Sequence, residues 1–180
     1  MKKLILGSAI LAVLGVASSA MAAPNTGTVN FTGSVSTATC EFSLQNSSGG
    51  NITEVNLGSL SSTSKDNGTP FTFKLVPSDN ACISKTSANV SWSSPTLGIG
   101  GINNTITTGG TNAYVRLAAT NATQKNNDSF VKQGQTSFDY TATDGKISSF
   151  DYAAVLMKPA SGNVTAGLFQ GSASYVVTYK

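Results

Sequence analysis

The chain contains no histidine, and charged residues make up only 11% of its 180 residues. The absence of histidine excludes a Ser-His-Asp or Cys-His catalytic arrangement, and two cysteines alone are too few ligands for zinc. Four aspartates could in principle pair as glycosidase carboxylates, namely Asp128, Asp139, Asp144 and Asp151. They lie in or beside turn-like stretches, which favours solvated turn residues. The sequence therefore predicts a protein that is not an enzyme and that uses no metal and no cofactor.

Long apolar runs are absent after the N-terminus. Residues 1–22 have the parts of a secretory signal peptide: a charged start, an apolar run from Leu4 to Val16, and the small-x-small cleavage site Ala20-Met21-Ala22. The apolar run is shorter than the roughly 20 residues that a transmembrane helix needs. We therefore expect an exported protein whose mature chain starts at Ala23 and does not insert into a membrane after cleavage.

A basic cluster is also absent. The formal net charge is +3, and Lys2 and Lys3 of the signal peptide account for most of that excess. The remaining lysines are scattered singly, which argues against nucleic acid as a partner. Ser, Thr, Asn and Gly dominate the polar residues instead. A neutral surface of this kind is common in bacterial surface proteins.

Helical periodicity and internal repeats are missing, and short β-branched or aromatic runs take their place. These runs cover residues 28–35, 52–60, 70–76, 88–93, 114–117, 150–157 and 172–179. Turn-rich stretches separate them. Short strands at this spacing predict an all-β sandwich of one domain, with Trp92 facing its core and short helical turns allowed near residues 61–66.

The two cysteines, Cys40 and Cys82, form an even pair in an exported chain. A disulfide between them is the default expectation for such a pair. In the predicted strand order both cysteines fall near the ends of early strands, which the bridge would pin together.

The last predicted strand, within Gly167 to Lys180, runs to the end of the chain. Its alternating positions place Ala173, Tyr175, Val177 and Tyr179 on one face. No hairpin partner follows it, so another segment must pair its outer edge or leave that edge open. An open apolar edge is an aggregation hazard.

The segment before the first cysteine has the same two-residue period. Its row consists of Gly27, Val29, Phe31, Gly33 and Val35. One interpretation is an edge strand of the protein's own sandwich. The other is a donor strand that leaves its own domain and completes a neighbour.

The order of these features along the chain is distinctive. The motif Val29-Asn30-Phe31-Thr32-Gly33-Ser34-Val35 precedes Cys40, and the second cysteine follows about forty residues later. Val55-Asn56-Leu57-Gly58 lies between the cysteines, Gly167 is the fourteenth residue from the end, and Tyr179 is penultimate. This pattern resembles the fimbrial pilins of the chaperone–usher class, most of all the major subunits of type 1 and P-like fimbriae. The resemblance covers the whole mature chain.

The resemblance implies an incomplete immunoglobulin-like sandwich in residues 37–180, preceded by a donor-strand arm in residues 23–36. A periplasmic chaperone lends the missing strand during export, and the arm of the next subunit replaces it at an outer-membrane usher. The implied product is a surface fimbria of a Gram-negative bacterium, built from identical subunits in an open filament with tip adhesin or adaptor subunits.

The resemblance also implies roles for individual residues. In the arm, Val29, Phe31 and Val35 enter apolar pockets of the neighbour, and Gly33 lies where the groove is shallow. The acceptor groove is lined by the C-terminal residues Gly167, Ala173, Tyr175, Val177 and Tyr179, and the chaperone is met by Tyr179 and Lys180.

An alternative function remains open at this point. The chain could be a minor or shaft-adhesive subunit that itself binds a host glycan or protein receptor. Trp92 and the tyrosines would then form a stacking platform for sugars on the surface.

Overall fold

A computed structural model describes residues 26–33, 40–63 and 65–180 of the chain. Within these residues the protein forms eleven strands, one short α-helix and one 3-10 helix at Asn126–Ser129. The strands and the α-helix are β1 (Thr26–Gly33), β2 (Phe42–Asn46), β3 (Val55–Ser59), β4 (Phe71–Pro77), α1 (Asn80–Ile83), β5 (Ser87–Ser93), β6 (Ile102–Asn103), β7 (Tyr114–Ala119), β8 (Phe130–Val131), β9 (Ser137–Thr141), β10 (Phe150–Met157) and β11 (Phe169–Tyr179).

The strands form two sheets. One has the order β3-β1-β11-β5-β9, and the other has the order β2-β4-β10-β7-β6, with β8 paired to β7. Among the described ladders, β1 with β11 is parallel and the others are antiparallel. The prediction of an all-β, immunoglobulin-like sandwich is confirmed.

The core lies between the two sheets because the strands alternate buried and more exposed residues. This period of two is clear in β5, β7, β10 and β11. The largest fully buried side chains are aromatic: Tyr152, Phe73, Phe138 and Phe150. Large rings from both sheets fill the interior. The alternate positions along the strands, where serine, threonine and asparagine are common, face outward.

Seven strands correspond to the runs predicted from sequence, and four strands (β2, β6, β8 and β9) were not predicted. The arm strand differs in its bounds: β1 begins at Thr26 and ends at Gly33, and Val35 lies outside the described residues. Two of the aspartates were misplaced by the prediction. Asp139 lies on β9 and Asp151 on β10, not in turns, because their neighbours alternate in burial as strand residues do.

The disulfide between Cys40 and Cys82 is present, with the two Cα atoms 6.1 Å apart. Cys82 lies on α1 and not at the end of a strand as predicted. The helix forms there because the Asp79 side chain accepts a hydrogen bond of 2.7 Å from the Ala81 amide and so caps its first turn. The residues 61–63, where helical turns were expected, form a turn and no helix.

Candidate functional site

The C-terminal strand β11 lies inside its sheet and has a partner on both edges. Antiparallel β5 pairs with it from Ser174 to Tyr179, and parallel β1 pairs with it from Phe169 to Tyr175. Ala173, Tyr175 and Val177, which were predicted to line the groove, are buried. Tyr179 is half-buried and Lys180 is exposed.

The gap between β3 and β11 is one strand wide, and the N-terminal strand β1 fills it. We call this gap the groove. On its other edge, β1 pairs antiparallel with β3 through Thr26, Thr28 and Val29, and the register shifts between the first two. Among the described ladders β3 has no other partner in this sheet. Without β1, one edge of β11 and one edge of β3 would face each other unpaired.

The floor of the groove is apolar. Val55 and Leu57 of β3 are buried, as is the inward row of β11 from Phe169 to Val177. The Tyr175 ring lies 5.4 Å from the Trp92 ring and 6.3 Å from the Phe42 ring. Contacts at these distances are favourable for aromatic pairs. Aromatic packing from both sheets therefore supports the groove from below.

Gly167 controls how the chain enters β11. Its φ angle is +153°, a conformation that favours glycine, and a Cβ atom there would lie 2.5 to 2.8 Å from the backbone of Gly109, Gly110 and Thr111. The Thr111 amide donates a 3.1 Å hydrogen bond to the Leu168 carbonyl just beyond it. Any side chain at position 167 would push this loop away from the start of the strand.

The far end of β11 is held by polar contacts on the outer face. The Lys180 Nζ atom lies 3.5 Å from Asp139 Oδ1, and that carboxylate also accepts hydrogen bonds from Asn89 (2.9 Å) and Gln124 (3.1 Å). The bonds from Asn89 and Gln124, with a smaller contribution from Lys180, hold the pKa of Asp139 below its usual value. The ion pair itself is exposed, so it stabilises the fold little.

Tyr179 combines a half-buried ring with an unusual hydroxyl. Its ring lies 6.2 Å from the ring of Phe150, while its Oη atom is buried without a hydrogen-bond partner among the described residues. Burial raises the pKa of this hydroxyl to about 12. The β1 ladder ends at Tyr175, so Val177 and Tyr179 lie beyond the described part of the arm strand.

Comparison with known proteins gives relatives that cover most or all of the chain. The chain is 34% identical over 164 residues to the K99 fimbrial protein of Escherichia coli, covering 88% of this chain and 89% of that protein. It is 31% identical over 185 residues to the F107 fimbrial protein of Escherichia coli, covering all of both chains. This chain belongs to the chaperone–usher family of fimbrial proteins. No family model matches it.

A fimbrial subunit is a structural protein and not an enzyme, and it is exported to the cell-surface fimbria; both predictions are confirmed by the family. Among the described residues, no helix has the length and apolar character that crossing a membrane requires. Within the same part of the chain, no three metal-ligating side chains cluster.

The structure also bears on the glycan-stacking alternative. Trp92 of the fimbrial subunit is 3% exposed, and its ring packs 5.0 Å from the Tyr152 ring inside the sandwich. Tyr140, Tyr152 and Tyr175 are buried as well. These rings form core contacts, so they cannot act as a surface platform for sugars.

Sequence reasoning missed three parts of the groove. Val55 and Leu57 were predicted to lie on a strand but were not assigned to the groove, which β3 borders opposite β11. Gly171 lies in the inward row of β11, between Phe169 and Ala173, and was not singled out. The alternation of large and small residues in that row was the available signal. The parallel direction of β1 had no signal in local sequence.

Proposed function

We propose that this fimbrial subunit polymerises by donor-strand exchange, in which residues 23–36 form the donor arm and residues 37–180 form the acceptor domain. The signal peptide, residues 1–22, directs export. A periplasmic chaperone first occupies the groove and delivers the subunit to an outer-membrane usher. There the arm of the next identical subunit takes the chaperone's place, and tip adhesin or adaptor subunits end the filament.

One observation carries this proposal: β1 completes a sheet whose other described strands leave a gap one strand wide. A strand that fills such a gap gains main-chain hydrogen bonds on both edges, and it covers apolar residues that water would otherwise reach. The described part of the arm is hydrogen-bonded to the sheet through these two ladders, which any strand of suitable sequence could form, so an equivalent strand from another chain could replace it.

The proposed residue roles follow from register. Val29 pairs with Gly171, Phe31 with Ala173, and Gly33 with Tyr175, so these three arm residues are in register with buried residues of β11, and we assign the donor role to them. Burying Val and Phe side chains contributes about 1.5 to 3 kcal/mol each. Val35 continues the same row in the sequence. Gly167, Ala173, Tyr175 and Val177 shape the groove, and Tyr179 and Lys180 meet the chaperone.

The arm and the groove are different surfaces of one molecule. Their contact between copies is therefore heterologous and does not close on itself, which produces open helical filaments. A chain with both surfaces can be extended at either end, as the main subunit of a filament must be.

The test is to produce the subunit with Phe31→Asp in cells that make the fimbria. The variant should reach the periplasm and bind the chaperone through its intact groove, yet fail as a donor, because an unpaired charge would enter an apolar site. Filaments of this variant, measured by electron microscopy, should be much shorter than those of the unmodified subunit or absent. The matched control is Asn30→Asp, which adds the same charge in the alternate row opposite Ser172, and its filaments should be normal. Normal filaments from the Phe31→Asp subunit would refute the donor assignment.

A further inference from the structure

The first half of β11 has a strand on only one of its edges. The arm strand β1 pairs with β11 from Phe169 to Tyr175, whereas β5 pairs with it only from Ser174 onward. Among the described ladders, the stretch from Phe169 to Ala173 therefore has the arm as its only partner. We call this stretch the acceptor wall. When the arm leaves, the acceptor wall has no ladder, and an extended segment without a ladder gains conformational freedom.

A side-chain amide occupies the other edge of the acceptor wall. Asn104 Oδ1 accepts a 2.9 Å hydrogen bond from the Gln170 amide, and Asn104 Nδ2 donates a 2.8 Å hydrogen bond to the Leu168 carbonyl. The next residue, Thr105, donates to the Gln170 carbonyl from its amide at 2.8 Å and from its hydroxyl at 2.9 Å. Backbone groups point to the two edges of a strand in alternation, so this edge is bonded much as a neighbouring strand would bond it.

Every hydrogen-bonding group of the Asn104 amide is used. An amide has two N–H donors and an oxygen with two lone pairs. The nitrogen also donates to the Thr111 carbonyl at 2.8 Å, and the oxygen also accepts from the Ile106 amide at 3.1 Å. Two carbonyls thus face the nitrogen and two N–H groups face the oxygen, which fixes the orientation of the amide. An aspartate here would keep the shape but lose both donors, and its charge would face two carbonyl oxygens.

The loop that carries Asn104 is anchored in the other sheet. Asn104 directly follows β6, and Thr111 leads into β7, and both of these strands belong to the sheet that does not contain the arm. The loop also fits closely around the amide, because a Cβ atom at Gly110 would collide with the Ile106 carbonyl and lie 2.7 Å from Asn104 Nδ2. The support that Asn104 gives to the acceptor wall therefore does not depend on the arm.

We propose that Asn104 is a positioning residue for strand donation: it holds the acceptor wall extended when no arm is in the groove, so that an incoming strand meets a preformed edge. This inference rests on the donor-strand function proposed above and adds a positioning residue to it. Asn104 acts through the backbone of Leu168 and Gln170. A strand that binds a preformed edge loses less conformational entropy than one that must order its partner at the same time.

Three variants of the full-length subunit test this role. Asn104→Asp removes both donors. Thr105→Val is a milder change, because it removes the hydroxyl bond to the Gln170 carbonyl and keeps the amide bond to it. Asn103→Asp is the matched control, since it makes the same substitution one residue earlier, at an exposed side chain.

Amide hydrogen exchange of the purified subunit, resolved by residue with NMR, measures how readily the arm leaves the groove. Arm amides exchange when the arm is released, whereas β10 amides exchange when the whole sandwich unfolds. In Asn104→Asp the arm amides at residues 28–30 should exchange about tenfold faster or more, because two hydrogen bonds of the acceptor wall are lost. Thr105→Val should give a smaller increase at the same amides, and Asn103→Asp should give none.

A merely structural role would give a different result. It would speed exchange in β10 and leave the arm amides at their unmodified rate, because arm release would not be affected. That pattern, or unchanged arm exchange in both Asn104→Asp and Thr105→Val, would overturn the positioning role.

Filaments test the connection to assembly. Fimbriae built from Asn104→Asp subunits, heated in detergent and run on a gel, should release subunits at a lower temperature than unmodified fimbriae, and Asn103→Asp fimbriae should not. Faster arm exchange in the purified subunit together with an unchanged dissociation temperature would show that subunits are not joined through this groove. That result would refute the proposed donor-strand function, and Asn104 would then support the arm only within one chain.

Discussion

At the scale of single residues, a hydrogen bond between two tyrosines joins the two sheets across the core. Tyr140 on β9 donates from its Oη atom to Tyr152 Oη on β10, with the two oxygens 2.7 Å apart and both residues buried. Burial is the main cause that raises the pKa of each hydroxyl above its ordinary value. A neutral hydroxyl pair in this position satisfies two polar groups that water cannot reach.

We predict that Tyr140→Phe lowers the free energy of unfolding by about 1 to 2 kcal/mol, because Tyr152 then loses a buried partner. The double variant Tyr140→Phe with Tyr152→Phe should cost less than the sum of the single changes, since no hydroxyl of the pair is left behind. Urea unfolding followed by tryptophan fluorescence gives these values. Tyr114→Phe, at a half-buried ring outside this pair, is the control and should change stability by less than about 0.5 kcal/mol. Additive costs would show that the hydroxyls act independently.

At the scale of elements, β11 organises the subunit. It runs for eleven residues, holds the arm on one edge and β5 on the other, and ends at the half-buried Tyr179. Its last four residues extend past the β1 ladder, with Lys180 held by Asp139. This stretch lies beyond the ladder with the described part of the arm, and it is the part of the strand that the proposed chaperone contact would use.

For the same element we predict that Tyr179→Ser lowers the periplasmic level of the subunit several-fold, because the aromatic contact at the strand end is lost and the chaperone captures less protein. Quantitative immunoblotting of periplasmic extracts measures this level. Tyr179→Phe keeps the ring against Phe150 and removes only an oxygen that has no hydrogen-bond partner in the described part of the chain, so its level should match the unmodified subunit. Normal accumulation and polymerisation of Tyr179→Ser would remove Tyr179 from the proposed site.

At the scale of the whole molecule, the subunit has a polar exterior with few charges and a core rich in aromatic side chains. Few charges are available to stabilise or destabilise it as the pH changes, since charged residues are 11% of the chain and histidine is absent. Four of the five tyrosines, in contrast, have a raised pKa in the folded state. The pH dependence of stability should therefore appear on the alkaline side.

The direction of this change in stability with pH follows from the number of protons that the folded and unfolded chains bind. An unfolded tyrosine ionises near pH 10, whereas burial raises the folded pKa of Tyr179 to about 12 and that of Tyr175 above its usual value. The folded chain then binds more protons, so this contribution to stability is complete below about pH 10 and is lost as the pH rises through the folded values. Urea unfolding between about pH 8 and pH 12 should show a steep decline beginning near pH 10. The Tyr140→Phe, Tyr152→Phe double variant should decline less steeply, and equal slopes would contradict this origin.

Local sequence determined most of the strands, the disulfide and the terminal features that identify the family. The missed strands divide into two kinds. In β9 the alternation of Phe138 and Tyr140 was readable, whereas β6 and β8 are two residues long and exist only because β7 offers them a ladder. An alternating pattern needs several residues to be recognised, so a two-residue strand cannot be predicted from the sequence.

The sequence by itself determined that both ends of the chain form strands with one apolar row, because side-chain alternation is a local property. Only the tertiary structure decided that the two strands meet, and that they run parallel in one chain. Both depend on pairing between β1 and two strands that are distant from it in sequence, β3 and β11, and the positions of those strands are set by the whole sandwich.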